Sequence, residues 1–205
     1  MVKQYGFYYN TDVCTGCKGC VAACKDKNDS PVGMKFRKVY DNVTGSWEQT
    51  DTGAWKQVNV GQYSVSISCM HCENPACVSA CPSGAMHKDE NGIVRVDQDV
   101  CIGCGMCTGV CPYHEPRIDP VQGVSTKCDF CRDLLIAGES PACVASCQMR
   151  ALAFGAIDEL RAKYGNNADV SPLPSSGVTN PNVVIKASRF SGQQSHVVNP
   201  PEELL

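Results

Sequence analysis

The chain has 205 residues, enough for one compact domain or two small ones. Sixteen of them are cysteine, which leaves three classes open: a disulfide-stapled protein, a zinc protein and an iron–sulfur protein. The formal charge of -3 shows no basic excess of the kind that recruits nucleic acid, and no apolar run reaches the roughly 18 residues of a membrane span.

Residues 5–10, Tyr-Gly-Phe-Tyr-Tyr-Asn, predict a short strand. Residues 1–10 contain neither a long apolar stretch nor a twin arginine, so no export signal is recognisable there. The first cysteine run follows, Cys14-x2-Cys17-x2-Cys20-x3-Cys24, and residues 21–27 predict a short helix. Residues 1–38 hold seven Lys or Arg against three acids. The plain reading is a solvated face; the sharper one is that Lys18 and Lys25, beside cysteines, balance charge at the cysteine sites.

Residues 36–68 interrupt the cysteine pattern. Turn signals at Asn42-Val43-Thr44-Gly45 and Asp51-Thr52-Gly53 lie among Val39, Tyr40, Trp47, Trp55, Val58, Val60, Tyr63, Val65 and Ile67. They predict a β insertion of two to four strands, with Trp47 and Trp55 as core or interface aromatics. The second run is Cys69-x2-Cys72-x4-Cys77-x3-Cys81-Pro82, followed by a predicted hairpin over 83–96. The third is Cys101-x2-Cys104-x2-Cys107-x3-Cys111-Pro112. A Pro- and Gly-punctuated link, 113–127, leads to the fourth, Cys128-x2-Cys131-x11-Cys143-x3-Cys147. Residues 132–138 predict a short helix stopped by Gly138, residues 151–154 a strand that is the natural mate of 5–10, and residues 158–164 a helix ended by Gly165. Five of the twelve prolines fall after Ser171. This tail reads as an extended arm laid on a partner, because Val183, Val184, Ile185 and Phe190 would otherwise be exposed apolar surface.

Four groups of four cysteines, each closing on an x3 gap, form the informative repeat. A disulfide scaffold has no reason to keep C-x2-C steps in every group. Zinc gives no reason for a third cysteine at x2 and a fourth at x3 before Pro112. The third run is the C-x2-C-x2-C-x3-C-P pattern of bacterial ferredoxins. Three cysteines two residues apart wrap three corners of a cubane, and Gly16, Gly19, Gly103 and Gly105 let the backbone approach. In two-cluster ferredoxins the fourth cysteine ligates the other cluster, so runs are used in couples. The second and third runs are adjacent and form one couple; the first and fourth remain to pair across the chain.

Applying the crossing predicts four [4Fe–4S] clusters. Cluster one has Cys14, Cys17, Cys20 and Cys147, and cluster two has Cys24, Cys128, Cys131 and Cys143. Cluster three has Cys69, Cys72, Cys77 and Cys111, and cluster four has Cys81, Cys101, Cys104 and Cys107. His71, His87, His114 and His196 are surplus as ligands, with surface or hydrogen-bonding roles. His114, just after the third run, is the one placed to sense a cluster.

The chain resembles the four-cluster iron–sulfur subunit of the DMSO reductase family of molybdopterin oxidoreductases. The segments that carry the likeness include Gln4-Tyr5-Gly6-Phe7, Cys14-Thr15-Gly16-Cys17-Lys18, Ala23-Cys24-Lys25-Asp26, Ser66-Ile67-Ser68-Cys69, Cys81-Pro82-Ser83-Gly84-Ala85-Met86-His87-Lys88, Cys101-Ile102-Gly103-Cys104 and Ile157-Asp158-Glu159-Leu160-Arg161. The resemblance implies a chain lying between a molybdopterin catalytic subunit and a quinol-linked membrane anchor. Cluster one would face the former and cluster four the latter. It implies the same crossed pairing, no substrate chemistry in this chain, and export on the catalytic partner's signal to the extracytoplasmic face, with the cytoplasmic side as the alternative. Two positions depart from the family's habit: Gln148 stands where Pro is usual, and His114-Glu115 replaces a small, less polar pair. Neither removes a ligand.

The expected fold is α+β, with two ferredoxin-like two-cluster modules, one nested in the other. The division is 1–35 with 121–165 as the outer module, 36–68 as the β insertion, 69–120 as the inner module and 166–205 as the C-terminal arm. A free-standing polyferredoxin shuttle and a formate dehydrogenase or hydrogenase-type subunit are the rival functions. The insertion and the apolar-bearing tail favour a fixed subunit.

Overall fold

A computed structural model describes residues 4–200. Residues 1–3, which open the expected outer module and include one lysine of the basic count, and residues 201–205, which end the expected arm, lie outside the described residues.

In chain order the elements are β1 (Tyr5–Asn10), α1 (Gly19–Lys27), β2 (Arg37–Gln49), β3 (Trp55–Ser68), α2 (Ala76–Ser79), β4 (Met86–Lys88), β5 (Val94–Val96), α3 (Met106–Val110), β6 (Arg117–Ile118), β7 (Ser125–Thr126), α4 (Arg132–Ile136), α5 (Ala142–Ala145), β8 (Leu152–Ala156), α6 (Ile157–Tyr164), β9 (Val183–Lys186) and β10 (Ser195–Val197). Most helices are one or two turns long, too short to persist alone. The cysteine loops and the core around them hold them in place.

Strand β1 is the central strand of one of the two three-stranded sheets among the described residues. It pairs antiparallel with β8, as expected from its sequence, with Phe7 opposite Phe154 and Tyr9 opposite Leu152. Its other edge pairs parallel with β9, Tyr8 opposite Val184. Alternation along β1 sends its aromatics to two cores. Phe7 and Tyr9 enter the main core with Val65, Ile67, Ile93 and Phe130, and the Phe7 and Phe130 rings stack at 4.0 Å. Tyr8 faces the other way, against Ile157, Leu160 and Val184, with its ring stacked 3.8 Å from Tyr164 of α6.

The tail is not an arm laid on a partner along its apolar stretch. Val183, Val184 and Ile185 are buried in this chain's own sheet. Phe190 packs against the main core. Further on, β10 adds a third strand to the insertion by pairing with β2 over 42–44. A parallel pairing between residues so far apart leaves no local periodic signal, which is why the segment reads as unpartnered in sequence.

The insertion is one long hairpin, β2 with β3, whose root is core and whose tip is solvent-exposed. Val39, Tyr63, Val65 and Ile67 are buried at the root. Trp47 and Trp55 lie near the tip and are 61% and 63% exposed, so neither is a core residue of this chain. Trp47 stands opposite Gln57 and Trp55 opposite Gln49, which puts both indoles on one face. The register shifts between Thr44 and Ser46, where Thr44 Oγ1 donates to the Asn59 carbonyl at 3.1 Å. Among the described residues no helix is long and apolar enough to cross a membrane.

Candidate iron–sulfur centres

The cysteine loops share one backbone device. The residue two places after the first cysteine of each run is left-handed: Gly16 at φ 67°, His71 at 42°, Gly103 at 67° and Phe130 at 66°. A left-handed non-glycine costs roughly 1–2 kcal/mol, so His71 and Phe130 must be held by their surroundings. Both are: they are buried side by side with ring centroids 5.2 Å apart, and His71 Nδ1 accepts a 3.0 Å bond from the Val94 N–H. At Gly103 a side chain is excluded outright, because a Cβ would run into the Gly123 carbonyl. Immediately before α1 and α3, Lys18 and Gly105 repeat a second left-handed position.

All sixteen thiols are free of disulfides. Twelve of them gather in fours: three small cavities have four cysteines each in their walls. The first is lined by Cys14, Cys17, Cys20 and Cys147, the second by Cys69, Cys72, Cys77 and Cys111, and the third by Cys81, Cys101, Cys104 and Cys107. Of the remaining cysteines, Cys24 lies within electrostatic reach of Cys128, Cys131 and Cys143, and Cys131 within reach of Cys143. Among the described residues no three His, Cys, Asp or Glu side chains converge on a point the size of one ion. The thiols stand instead around the cavity walls.

Each foursome takes three cysteines from one run and one from another. Helix α1 shows how: Cys20 and Cys24 are one turn apart, and each belongs to a different foursome. Helix α5 and the turn after it do the same with Cys143 and Cys147. The foursomes also form a series. Cys24, Cys69 and Cys128 share one buried cluster with Met34 and Phe36, so the Cys24 foursome adjoins the Cys69 one. The second and third runs share the following pair. Cys17 and Cys104 are exposed, one at each end of the series.

Three features of the chain fit anionic metal–sulfur clusters in these sites. The first is the donor set: four thiols per cavity, with burial pushing Cys24, Cys72 and Cys77 up to about 12 and Cys14 up to about 11. Such thiols do not ionise by themselves, and a bound cation would displace their protons. The second is the ring of donors around them. The Met86 N–H points at Cys81 Sγ (3.4 Å), the Ser125 N–H at Cys101 Sγ (3.3 Å) and the Phe130 N–H at Cys128 Sγ (3.4 Å). The Cys81 thiol is drawn below its ordinary value, first by the Met86 N–H. The third is charge. Among the described residues Arg37, Lys38 and Lys127 are buried, and Glu115 is the one acidic residue buried as a whole; the Asp89 side chain, 5% exposed, faces Arg132 at 3.8 Å. Lys38 is paired with Glu115 at 3.7 Å, leaving two interior cations that call for interior anions.

These cations differ from the ones the sequence points to. Lys25 is spent on the loop after α1, donating to the Ser30, Pro31 and Met34 carbonyls. Lys18 does line the cavity of Cys14, Cys17, Cys20 and Cys147, but it faces Asp41 at 3.7 Å and its side chain is 40% exposed. The residue expected to sense a cluster, His114, is exposed, and it is His71 that is buried. Nothing in the spacing marks Arg37, and Lys127, although it directly precedes Cys128, gives no sign of its burial, because both are buried by long-range packing.

The class follows from the motifs as well as the sites. Residues 60–157 match the family described as "4Fe-4S dicluster domain", and residues 11–33 match "4Fe-4S binding domain". The B subunit of the anaerobic dimethyl sulfoxide reductase of Escherichia coli is 50% identical, over 98% of this chain and 100% of its own length. Thiosulfate reductase electron transfer subunit PhsB of Salmonella typhi is 43% identical, over 78% and 79%. The B subunit of the polysulfide reductase of Wolinella succinogenes is 35% identical, over 95% and 100%. The protein is a [4Fe–4S] ferredoxin-type chain with a mixed α/β fold. It belongs to the family of iron–sulfur subunits that serve the DMSO reductase type of molybdoenzyme.

Proposed function

We propose that this chain is the electron-transfer subunit of a DMSO reductase-like complex and carries four [4Fe–4S] clusters in series. Cys14, Cys17, Cys20 and Cys147 would hold cluster one, and Cys24, Cys128, Cys131 and Cys143 cluster two. Cys69, Cys72, Cys77 and Cys111 would hold cluster three, and Cys81, Cys101, Cys104 and Cys107 cluster four. The observation that supports this reading is the grouping of twelve thiols into three four-cysteine cavities, with Cys24 and Cys128 beside Cys69 in one buried cluster and an exposed cysteine in each of the cavities of Cys14 and Cys101.

Bound there, the clusters would supply one-electron transfer, and the chain would supply everything else. Its apolar walls keep water from the inner sites, where Cys24, Cys69, Cys72, Cys77, Cys128, Cys131 and Cys143 are buried. Its backbone N–H groups polarise the sulfurs, one of the levers on potential. Cys17 and Cys104 bring the end sites to the surface, where a partner's redox group can approach.

The relatives are named as subunits of DMSO, thiosulfate and polysulfide reductases. By that likeness the partners are a molybdopterin catalytic subunit at the cluster-one end and a quinol-linked membrane anchor at the cluster-four end. The complex sits on the membrane, with the extracytoplasmic face favoured by export on the catalytic partner's signal. The domain division is the nested one: 1–35 with 121–165 around 69–120, an insertion at 36–68 and a C-terminal arm at 166–205. Pairing of β1 with β8 across the first and fourth runs supports the outer module, and the β4–β5 hairpin between the second and third supports the inner one.

Gentle anaerobic purification from the native host tests the reading. A large co-purifying chain with molybdenum or tungsten, and about sixteen irons per copy of this chain, is expected. About eight irons would exclude four clusters, and a monomer with full native activity would make the protein a shuttle. A local test is Gly103→Ala, which drives a Cβ into the Gly123 carbonyl from a left-handed backbone. Iron should drop by about one cluster, roughly four irons. Gly109→Ala, where an added Cβ meets nothing within 4 Å, should leave it unchanged.

A further inference from the structure

Two buried cations remain without a carboxylate partner among the described residues, and each lies at a junction between neighbouring cysteine foursomes. Arg37 is 1% exposed. Its guanidinium donates to Ser66 Oγ at 3.1 Å and Ser68 Oγ at 2.9 Å. Ser66 Oγ is in turn 3.3 Å from Cys20 Sγ. The rings of Phe7 and Tyr9 flank the guanidinium at 5.1 and 5.4 Å. Its field reaches Cys20 of the first foursome and Cys143 and Cys128 of the second.

Lys127 occupies the next junction. Its ammonium donates to the carbonyls of Val94 and of Cys128. Its side chain lines the cavity of Cys69, Cys72, Cys77 and Cys111, and its field reaches Cys69 and Cys77 on one side and Cys128 on the other. Lys38, the third buried cation, is answered by Glu115 and adds little net field. The cavity of Cys81, Cys101, Cys104 and Cys107 differs: none of its lining residues is charged.

We propose that Arg37 and Lys127 are fixed tuning charges, Arg37 acting on clusters one and two and Lys127 on clusters two and three, while cluster four is set by neutral donors alone. A cluster gains negative charge on reduction, so a nearby buried cation favours the reduced form and raises the potential. Placed at a junction, one charge raises both members of a neighbouring pair together. Electron occupancy then becomes easier on both sides of a hop without opening a step between them. Cluster two, between both cations, is raised most.

The inference rests on the four-cluster reading, and one sample separates the two. Iron content of the purified complex tests the clusters. An EPR-monitored redox titration of the same sample then tests the charges. Lys127→Met should lower the midpoints of clusters two and three and leave clusters one and four at their original values. Arg37→Gln should lower those of clusters one and two alone. Lys127→Arg and Arg37→Lys, which keep the charge, should titrate close to the parent. Equal shifts at all four clusters, or none in a sample with full iron, would overturn the proposal. Should Arg37→Gln fail to assemble, Arg37→Lys decides: assembly with parental potentials supports the charge, and failure of both assigns Arg37 to packing and overturns it.

Discussion

A Cys111→Ser chain should lose the cluster held by the second cysteine run, while Cys104→Ser should damage the one held by its own run. The two cysteines belong to one twelve-residue loop-and-helix segment, 101–112, but face different cavities: Cys111 lines the wall with Cys69, Cys72 and Cys77, and Cys104 the wall with Cys81, Cys101 and Cys107. Serine oxygen is a poor substitute for thiolate at iron, so each change removes one corner of one cluster. Iron should fall from about sixteen to between twelve and fifteen per chain in both variants. The EPR spectra of the complexes should lose different signals. Loss of the same signal in both would mean that the run at 101–111 serves a single cluster, and the crossed ligand sets would be wrong.

The second large effect is expected at the Lys38–Glu115 pair. Both side chains are 1% exposed, and their charged atoms are 3.7 Å apart. Lys38 Nζ also donates to the His114 carbonyl at 3.0 Å, tying down the turn that follows Cys111. Burial pushes the Glu115 carboxyl above its usual range, and Lys38 is the leading influence that opposes this. Lys38→Met strips the partner from a buried carboxylate, a change that costs about 3–5 kcal/mol in comparable sites. Loss of the visible cluster absorbance on heating should come roughly 10 °C earlier. In Lys38→Met/Glu115→Leu no buried charge is left alone, and most of that loss should return. A double variant as weak as the sum of the single ones would show that the two residues act separately.

Much of the site is legible along the chain because a cysteine loop is a local object. Two intervening residues set the reach between Cys101, Cys104 and Cys107, and the same holds for Cys14, Cys17 and Cys20. The left-handed corner of the loop is visible where it is glycine, at Gly16 and Gly103, and invisible where buried packing holds it, at His71 and Phe130. The strand at 5–10 and its mate at 152–156 are likewise readable, since a continuous run of aromatic residues such as Phe7-Tyr8-Tyr9 suits a strand buried on both faces. The tail escapes a local reading for the opposite reason. Val183, Val184 and Ile185 fill the second edge of β1, but a parallel strand reached after so long a separation has no turn beside it to announce the pairing.

Charge separates the two levels most sharply. Along the chain, Lys18, Lys25 and Lys127 all stand beside cysteines, and Arg37 looks like any surface cation. Folding decides which of them are buried, because burial is a property of what packs from elsewhere: β3 brings Ser66 and Ser68 over Arg37, and β5 brings the Val94 carbonyl to Lys127. The number of cysteine loops, their shape and the kind of metal chemistry they suit follow from the order of residues alone, since these depend on spacings of a few positions. In what order the cavities run, and where the buried cations without a carboxylate partner lie among the described residues, come from the folded chain. Those depend on distances through space between residues that the sequence keeps far apart.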